Sequence, residues 1–145
     1  MKVLVPAETR PGERRVAMVP GVVAKFTQLG LEVQVESGAG ASAYADDDAY
    51  RGVGATVVPT EGMHQALAEA DVVASVRPLD YERASRLHAK AVTVSFLSPA
   101  QDLDTVRGLR DAGATGLSFD TLPRISRARV RVAESGVGSG VPPMT

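Results

Sequence analysis

Short β-rich runs alternating with amphipathic stretches at fairly even spacing constrain this chain more than any other feature of its sequence. The runs are Val3 to Val5, Leu31–Glu36, Ala55–Val58, Val72–Val76, Val92–Phe96 and Thr115–Phe119, and they predict six strands. Between the first two, Pro20 to Gly30 sets Val22, Val23, Phe26 and Leu29 on one helical face, with proline suited to a first turn and glycine to a C-terminal stop. Thr60 is placed to cap a helix whose Met63, Ala66, Leu67 and Ala70 make an apolar stripe, and Asp80 to cap the next. Asp102 to Ala112 repeats the pattern with Leu103, Val106 and Leu109, closed by Gly113. One crossover helix per strand implies a parallel, doubly wound sheet, though the pattern does not fix the strand order.

With 145 residues the chain fits one domain able to bury a core without metal or disulfide help. No run of roughly 18 apolar residues and no charged-then-apolar leader occurs, so neither a membrane span nor a signal peptide is expected and a cytoplasmic location is. Sixteen basic against seventeen acidic side chains leave no bulk field for phosphate backbones, which argues against nucleic acid. The absence of cysteine removes thiolate metal sites and thiol catalysis, and two histidines cannot make a tetrahedral metal site without carboxylate help. His64 and His88 fall on predicted helices and read as surface residues.

Two glycine clusters invite a nucleotide reading. Gly38-Ala39-Gly40-Ala41-Ser42-Ala43 matches a loose G-x-G-x-x-A pattern after a predicted strand, but Asp46, Asp47 and Asp48 put negative charge where phosphates would sit. A tight turn leaving a buried strand is the plainer reading. Gly136, Gly138 and Gly140 follow no β-run, and Pro142 and Pro143 block the helix that should begin there. The expected fold is therefore α/β, a doubly wound, mostly parallel sheet, flavodoxin- or Rossmann-like but without the dinucleotide-binding fingerprint. No nucleophile elbow or paired-acid site is evident, so no self-contained catalytic set is assigned. The polar loop Pro6 to Arg15, at the C-terminal end of the first strand, lies where open α/β sheets bind ligands.

Pro6-x-Glu8, four residues, then Glu13-x-Arg15-Val16-Ala17-x-x-Pro20, followed by Glu36-Ser37-Gly38-Ala39-Gly40, resembles the N-terminal domain shared by alanine dehydrogenases and transhydrogenase alpha subunits. Val94-Ser95-Phe96-Leu97-Ser98-Pro99-Ala100-Gln101 and Pro123-Arg124-Ile125-Ser126-Arg127-Ala128 look like the transhydrogenase branch in particular. The resemblance covers residues 1–128, leaving 129–145 as an irregular tail. It implies that a separate Rossmann domain packs beside this one and that NAD(H) lies in the cleft between them. The hydride then passes to NADP(H) on another component while protons cross a membrane. It also implies a homodimer in the complete subunit and a place peripheral to the inner membrane through the complex. Arg124, Ile125, Ser126 and Arg127 would lie beside the nicotinamide, and Arg15 matches the family's carboxylate-binding arginine, with Glu8 on the same loop as a small-acid or interdomain contact.

The lysine and histidine that alanine dehydrogenases place around the keto acid fall near Ser75 and Ser98, and a serine supplies no cationic donor. After Ala128 the resemblance implies a glutamine and then an aspartate leading into a long helix, where this chain has Arg129 and Val132. That change leads us to expect a truncation or reading-frame shift near Ala128. An NAD(H) site would then be incomplete in this chain. The alternatives are an alanine dehydrogenase-like fragment, or a non-catalytic binding or assembly module using the Glu8 to Arg15 loop.

Overall fold

The computed structural model of the chain describes residues 1–119 and the strand 131–134. Six strands run parallel: β1 (Lys2–Val5), β2 (Glu32–Glu36), β3 (Thr56–Val58), β4 (Val72–Ala74), β5 (Val92–Ser95) and β6 (Thr115–Ser118). All six predicted strands are present, and the fold is the expected α/β, doubly wound, mostly parallel one. The sheet order is β3-β2-β1-β4-β5-β6, extended at its far edge by β7 (Arg131–Glu134), which runs antiparallel to β6. It reverses between β1 and β4, as in dinucleotide-binding sheets. Arg131–Glu134 thus depart from the irregular tail expected over 129–145, because the outer edge of β6 offers unpaired backbone groups that an extended segment can satisfy.

Alternating side chains along β1 feed two cores, one on each face of the sheet. Val3 and Val5 point with Val23, Val33, Val35 and Tyr50 toward α1 (Pro20–Gln28) and α2 (Asp47–Gly52). Leu4 points with Leu67, Val73, Leu97 and Leu109 toward α3 (Met63–Glu69), α4 (Tyr81–Ala84) and α5 (Leu103–Ala112). Burying a Val or Leu side chain contributes about 1.5–3 kcal/mol relative to exposure, so these two clusters carry most of the stability.

Local signals act largely as the residues imply. Pro20 opens α1, and Gly30 ends it at φ +87°, a conformation that costs an L side chain energy. The Asp80 carboxylate accepts from the Arg83 amide at 2.8 Å, and Gly113 closes α5 at φ +74°. Thr60 does not cap α3: it begins a 3₁₀ turn (Thr60–Gly62), and its hydroxyl bonds to Glu36 instead. Asp102 precedes α5 without capping it, since its carboxylate is engaged by Ser98 and Arg10. The expected apolar faces are also narrower than drawn. Val23 is buried and Phe26 partly so, whereas Val22, Leu29 and Leu103 are exposed, because each short helix turns only one narrow strip toward the sheet. α5 buries Thr105, Gly108 and Leu109.

Candidate functional site

Reversal of strand order between β1 and β4 sends their connections to opposite faces, and the crevice between those connections is the usual ligand site of such sheets. Here polar side chains close it. The Glu8 carboxylate accepts the amides of Val76 and Arg77 at 3.0 and 2.8 Å, lashing the β1 loop to the end of β4. Arg10 reaches Asp102 at 3.0 Å, and the other oxygen of Asp102 accepts the Ser98 amide at 2.9 Å. Glu36, at the end of β2, accepts the Ala7 amide at 2.8 Å and both nitrogens of the Arg83 fork at 2.8 and 3.0 Å. The space left in this crevice is about 10 Å³, room for one water at most.

Glu36 is the most buried charge among the described residues, and it is well supplied with partners. Only 3% of its side chain is exposed. Burial pushes its pKa up, but the Arg83 fork, the Ala7 amide and the Thr60 hydroxyl outweigh that and leave it below the usual carboxylate range. Truncating Glu8 to alanine tests the lashing of the neighbouring loop. It strands two amides, that of Val76 buried, and should lower unfolding stability by about 1–3 kcal/mol in urea titration.

The glycine loop is likewise spent on internal contacts. Asp47 accepts the Gly38 amide at 2.9 Å and the Ser37 hydroxyl at 2.6 Å, and these two bonds hold its pKa below the usual value. Asp46 caps α2 by accepting from the Ala49 amide. A concavity of about 660 Å³ lies over this loop, but Asp46, Asp47 and Asp48 line it, so a diphosphate would meet carboxylates where it needs amides. The loop follows β2, one strand away from the β1–β4 reversal where such sheets seat a diphosphate, and its charge opposes one as well.

Open space lies farther along the sheet. A cleft of about 530 Å³ runs over the C-terminal ends of β4, β5 and β6, walled by Val76, Val94, Phe96 and Phe119. Phe96 and Phe119 stand with ring centroids 6.3 Å apart and planes inclined at 59°. Ser75 is buried at its floor, and its hydroxyl has no hydrogen-bond partner among the described residues. Arg15 reaches the rim and is gripped by Glu13, with Nε and Nη2 each 2.9 Å from a Glu13 oxygen. That fork, with help from Arg15's own amide and the more distant Arg77, lowers the Glu13 pKa to about 2 against the opposing effect of burial.

Of the residues singled out from sequence, Glu8, Arg15 and Ser75 gather around this edge, while Ser98 lies back in the turn held by Asp102. Arg124, Ile125, Ser126 and Arg127 lie outside the described residues. Val132 sits in β7 opposite Leu117 rather than in a helix. His64 and His88 make peripheral pairs with Glu82 and Asp71 at 3.4 and 3.7 Å. Arg83 was missed, since it does not stand out until the fold brings Glu36 to it, and Glu13 was quoted in the motif without a role. Among the described residues no three His, Asp or Glu side chains could hold a metal, and no helix is long and apolar enough to cross a membrane.

Residues 4–135 match the model of the alanine dehydrogenase/PNT N-terminal domain. The chain belongs to that family. It is 41% identical over 134 residues to an NAD(P) transhydrogenase subunit alpha chain from Rhodospirillum rubrum, covering 89% of this chain and 34% of that protein. It is 32% identical over 122 residues to the alanine dehydrogenase of Mycobacterium tuberculosis, covering 84% and 32%. Among solved structures, the transhydrogenase from Sinorhizobium meliloti superposes with a TM-score of 0.78 at 31% identity, over 88% of this chain and 37% of that one. An L-alanine dehydrogenase does so with a TM-score of 0.75 at 26% identity, over 83% and 33%. The chain therefore spans about a third of the length of these relatives.

Proposed function

We propose that this domain is the N-terminal part of the alpha subunit of a proton-translocating NAD(P)⁺ transhydrogenase, lining the nicotinamide side of an NAD(H) cleft completed by a Rossmann domain. One observation carries this reading. The open cleft and the two described residues that flank the segment bearing Arg124 to Arg127 share one edge of the sheet: Phe119 lines the cleft, and Arg131 pairs with Ser118 of β6.

The residues present fit one end of the cofactor. Phe96, Phe119, Val76 and Val94 offer an apolar wall to a ring. A diphosphate finds no comparable seat, since Asp47 already holds the Gly38 amide. Bound NAD(H) would supply the hydride, to be passed to NADP(H) on another component. The domain's own part is to hold the ring at a fixed angle and keep water from that face, which brings donor and acceptor together without covalent chemistry. Other transhydrogenase components, a homodimer of complete subunits and a place at the membrane periphery belong to the same proposal.

Titration with NADH tests it. The chain alone should bind no more tightly than about 1 mM, and joining it to the Rossmann portion of the Rhodospirillum rubrum relative should bring micromolar affinity. Micromolar binding by the unaided chain, or no gain on joining, would overturn the reading.

Arg15 at the cleft rim favours a second reading, amino-acid dehydrogenation with a keto acid on that guanidinium. Ser75 and Ser98 weigh against it because neither can supply a proton at neutral pH or a positive charge. Alanine-dependent NADH formation by the joined protein would decide for it.

A further inference from the structure

Glu8 lies in the crevice between β1 and β4, where doubly wound sheets take their ligands, and it makes the contacts a ligand would make. Its two carboxylate oxygens accept the amides of successive residues in the bend after β4, one oxygen to Val76 at 3.0 Å and the other to Arg77 at 2.8 Å. Adjacent backbone amides converging on one anion form the kind of nest that holds free carboxylates and phosphates. Donor and acceptor are 68 and 69 residues apart, so this is a tertiary contact and not a turn closing on itself. The loop that delivers Glu8 is pinned independently on either side of it. Glu36 accepts the Ala7 amide at 2.8 Å, and Arg10 donates to Asp102 at 3.0 Å. Arg10, Arg77 and Arg83 line the crevice against Glu8 and Asp80, a surrounding that favours an anion.

We infer that the β1–β4 crevice is a carboxylate-binding site that the chain fills with its own Glu8. A carboxylate held in place by its own chain outcompetes a free one, so the native crevice is closed to small acids. Truncation of Glu8 to alanine removes a methylene and a carboxylate, the size of acetate, and leaves both amides without their acceptor. Truncation to glycine removes one carbon more and makes room for propionate. The ligand class is thus a small monocarboxylate whose length is set by what remains at position 8. The filling also matters outside the crevice. Val76 gives its amide to Glu8 and its side chain to the apolar cleft, and Ser75 lines both spaces. The same loop goes on to bring Arg15, Val16 and Ala17 to the cleft. A carboxylate in the crevice therefore sets the near wall of the cleft, whatever the cleft itself binds.

Thermal melts of the full chain at neutral pH test this by replacing the missing group from solution. The midpoint of Glu8→Ala should rise by about 2–5 °C in about 100 mM sodium acetate relative to the same concentration of sodium chloride. Wild type and Glu8→Gln, whose side chains fill the space, should move by less than about 1 °C in the same comparison. Propionate should stabilise Glu8→Gly at least as well as acetate does, and Glu8→Ala less. Amide-resolved NMR titration of Glu8→Ala with acetate should give saturable shifts at Val76 and Arg77. Should Glu8→Ala be unfolded in chloride, the reading becomes the return of a cooperative melt with acetate, and no return overturns the inference. An acetate gain no larger than that of chloride overturns it as well, as does one shared equally by wild type and Glu8→Gln, which marks a general salt effect. Saturable shifts that miss both Val76 and Arg77 would place the bound acid elsewhere and sink the assignment too.

Discussion

Arg83→Met is expected to cost about 3–5 kcal/mol of unfolding stability at neutral pH, because it leaves the Glu36 carboxylate buried with its charge uncompensated. The pH dependence should change sign with it. In the native protein the folded pKa of Glu36 lies below its unfolded value, so this group adds stability at neutral pH, and that contribution fades as pH falls below about 4.5 through the lowered pKa. Without Arg83, burial dominates and the folded pKa rises above the unfolded one. The variant then loses stability as pH rises through the new pKa and recovers it on acidification toward about pH 4.5. Thermal melts between pH 7 and pH 5 separate the two cases: the midpoint of Arg83→Met should climb as pH falls, and that of the native chain should not. A variant that melts within a degree or two of the native protein, with the same pH slope, would show that the pair is not what holds α4 against the end of β2. Glu36→Gln in the Arg83→Met background should recover part of the loss, since the amide oxygen still accepts from Ala7.

This pair also shows why the strands could be read from the sequence and the site could not. Apolar runs such as Val92 to Ser95 announce themselves locally, and so do Pro20 and Gly113 at helix ends. Glu36 and Arg83 are 47 residues apart, and nothing near either one says that the other is its partner. Strand order was hidden for the same reason, being decided by which face each crossover helix packs against. β7 was missed because Arg131–Glu134 is short, and its strand character depends on the free edge of β6 rather than on its own pattern. Leu29 and Leu103 misled in the opposite sense. They sit at helical spacing, yet the sheet beneath α1 and α5 is already covered by Val23 and Leu109.

The cleft was only partly legible. Arg15 and Glu8 were marked by the resemblance, but Glu13 sits in the same motif and its grip on Arg15 changes what that arginine can do. A motif names the residue types that meet. It does not say which of them pair with each other, and here Glu13 takes the Nε and Nη2 edge of Arg15.

Gly40→Ala should be the most damaging of the small substitutions, and the reason bears on how the glycine loop is understood. A Cβ at Gly40 would stand 2.5 Å from the Ala45 carbonyl oxygen, 2.8 Å from a ring carbon of Tyr50 and 2.9 Å from the Ala45 Cβ. None of these can give way cheaply. Ala45 is buried backbone that bonds back to Gly40, and Tyr50 is fully buried with its hydroxyl donating to the Met18 carbonyl at 2.8 Å. Overpacking of this kind costs about 2–3 kcal/mol, and because two backbone segments must part, the upper end is expected. Gly38 differs: a Cβ there meets nothing, and only its φ of +82° resists substitution, at about 1–2 kcal/mol. A phosphate-binding loop would show another pattern, with both changes weakening nucleotide affinity and Gly38, whose amide would have to turn from Asp47 to the phosphate, mattering more. Urea unfolding of the two variants, with NADH titration of each in the joined protein, therefore separates packing from recognition. Stability should fall in the order wild type, Gly38→Ala, Gly40→Ala, while affinity measured under conditions where all three are folded stays within about twofold; the reverse order, or a loss of affinity at Gly38 without loss of stability, would return the loop to the nucleotide.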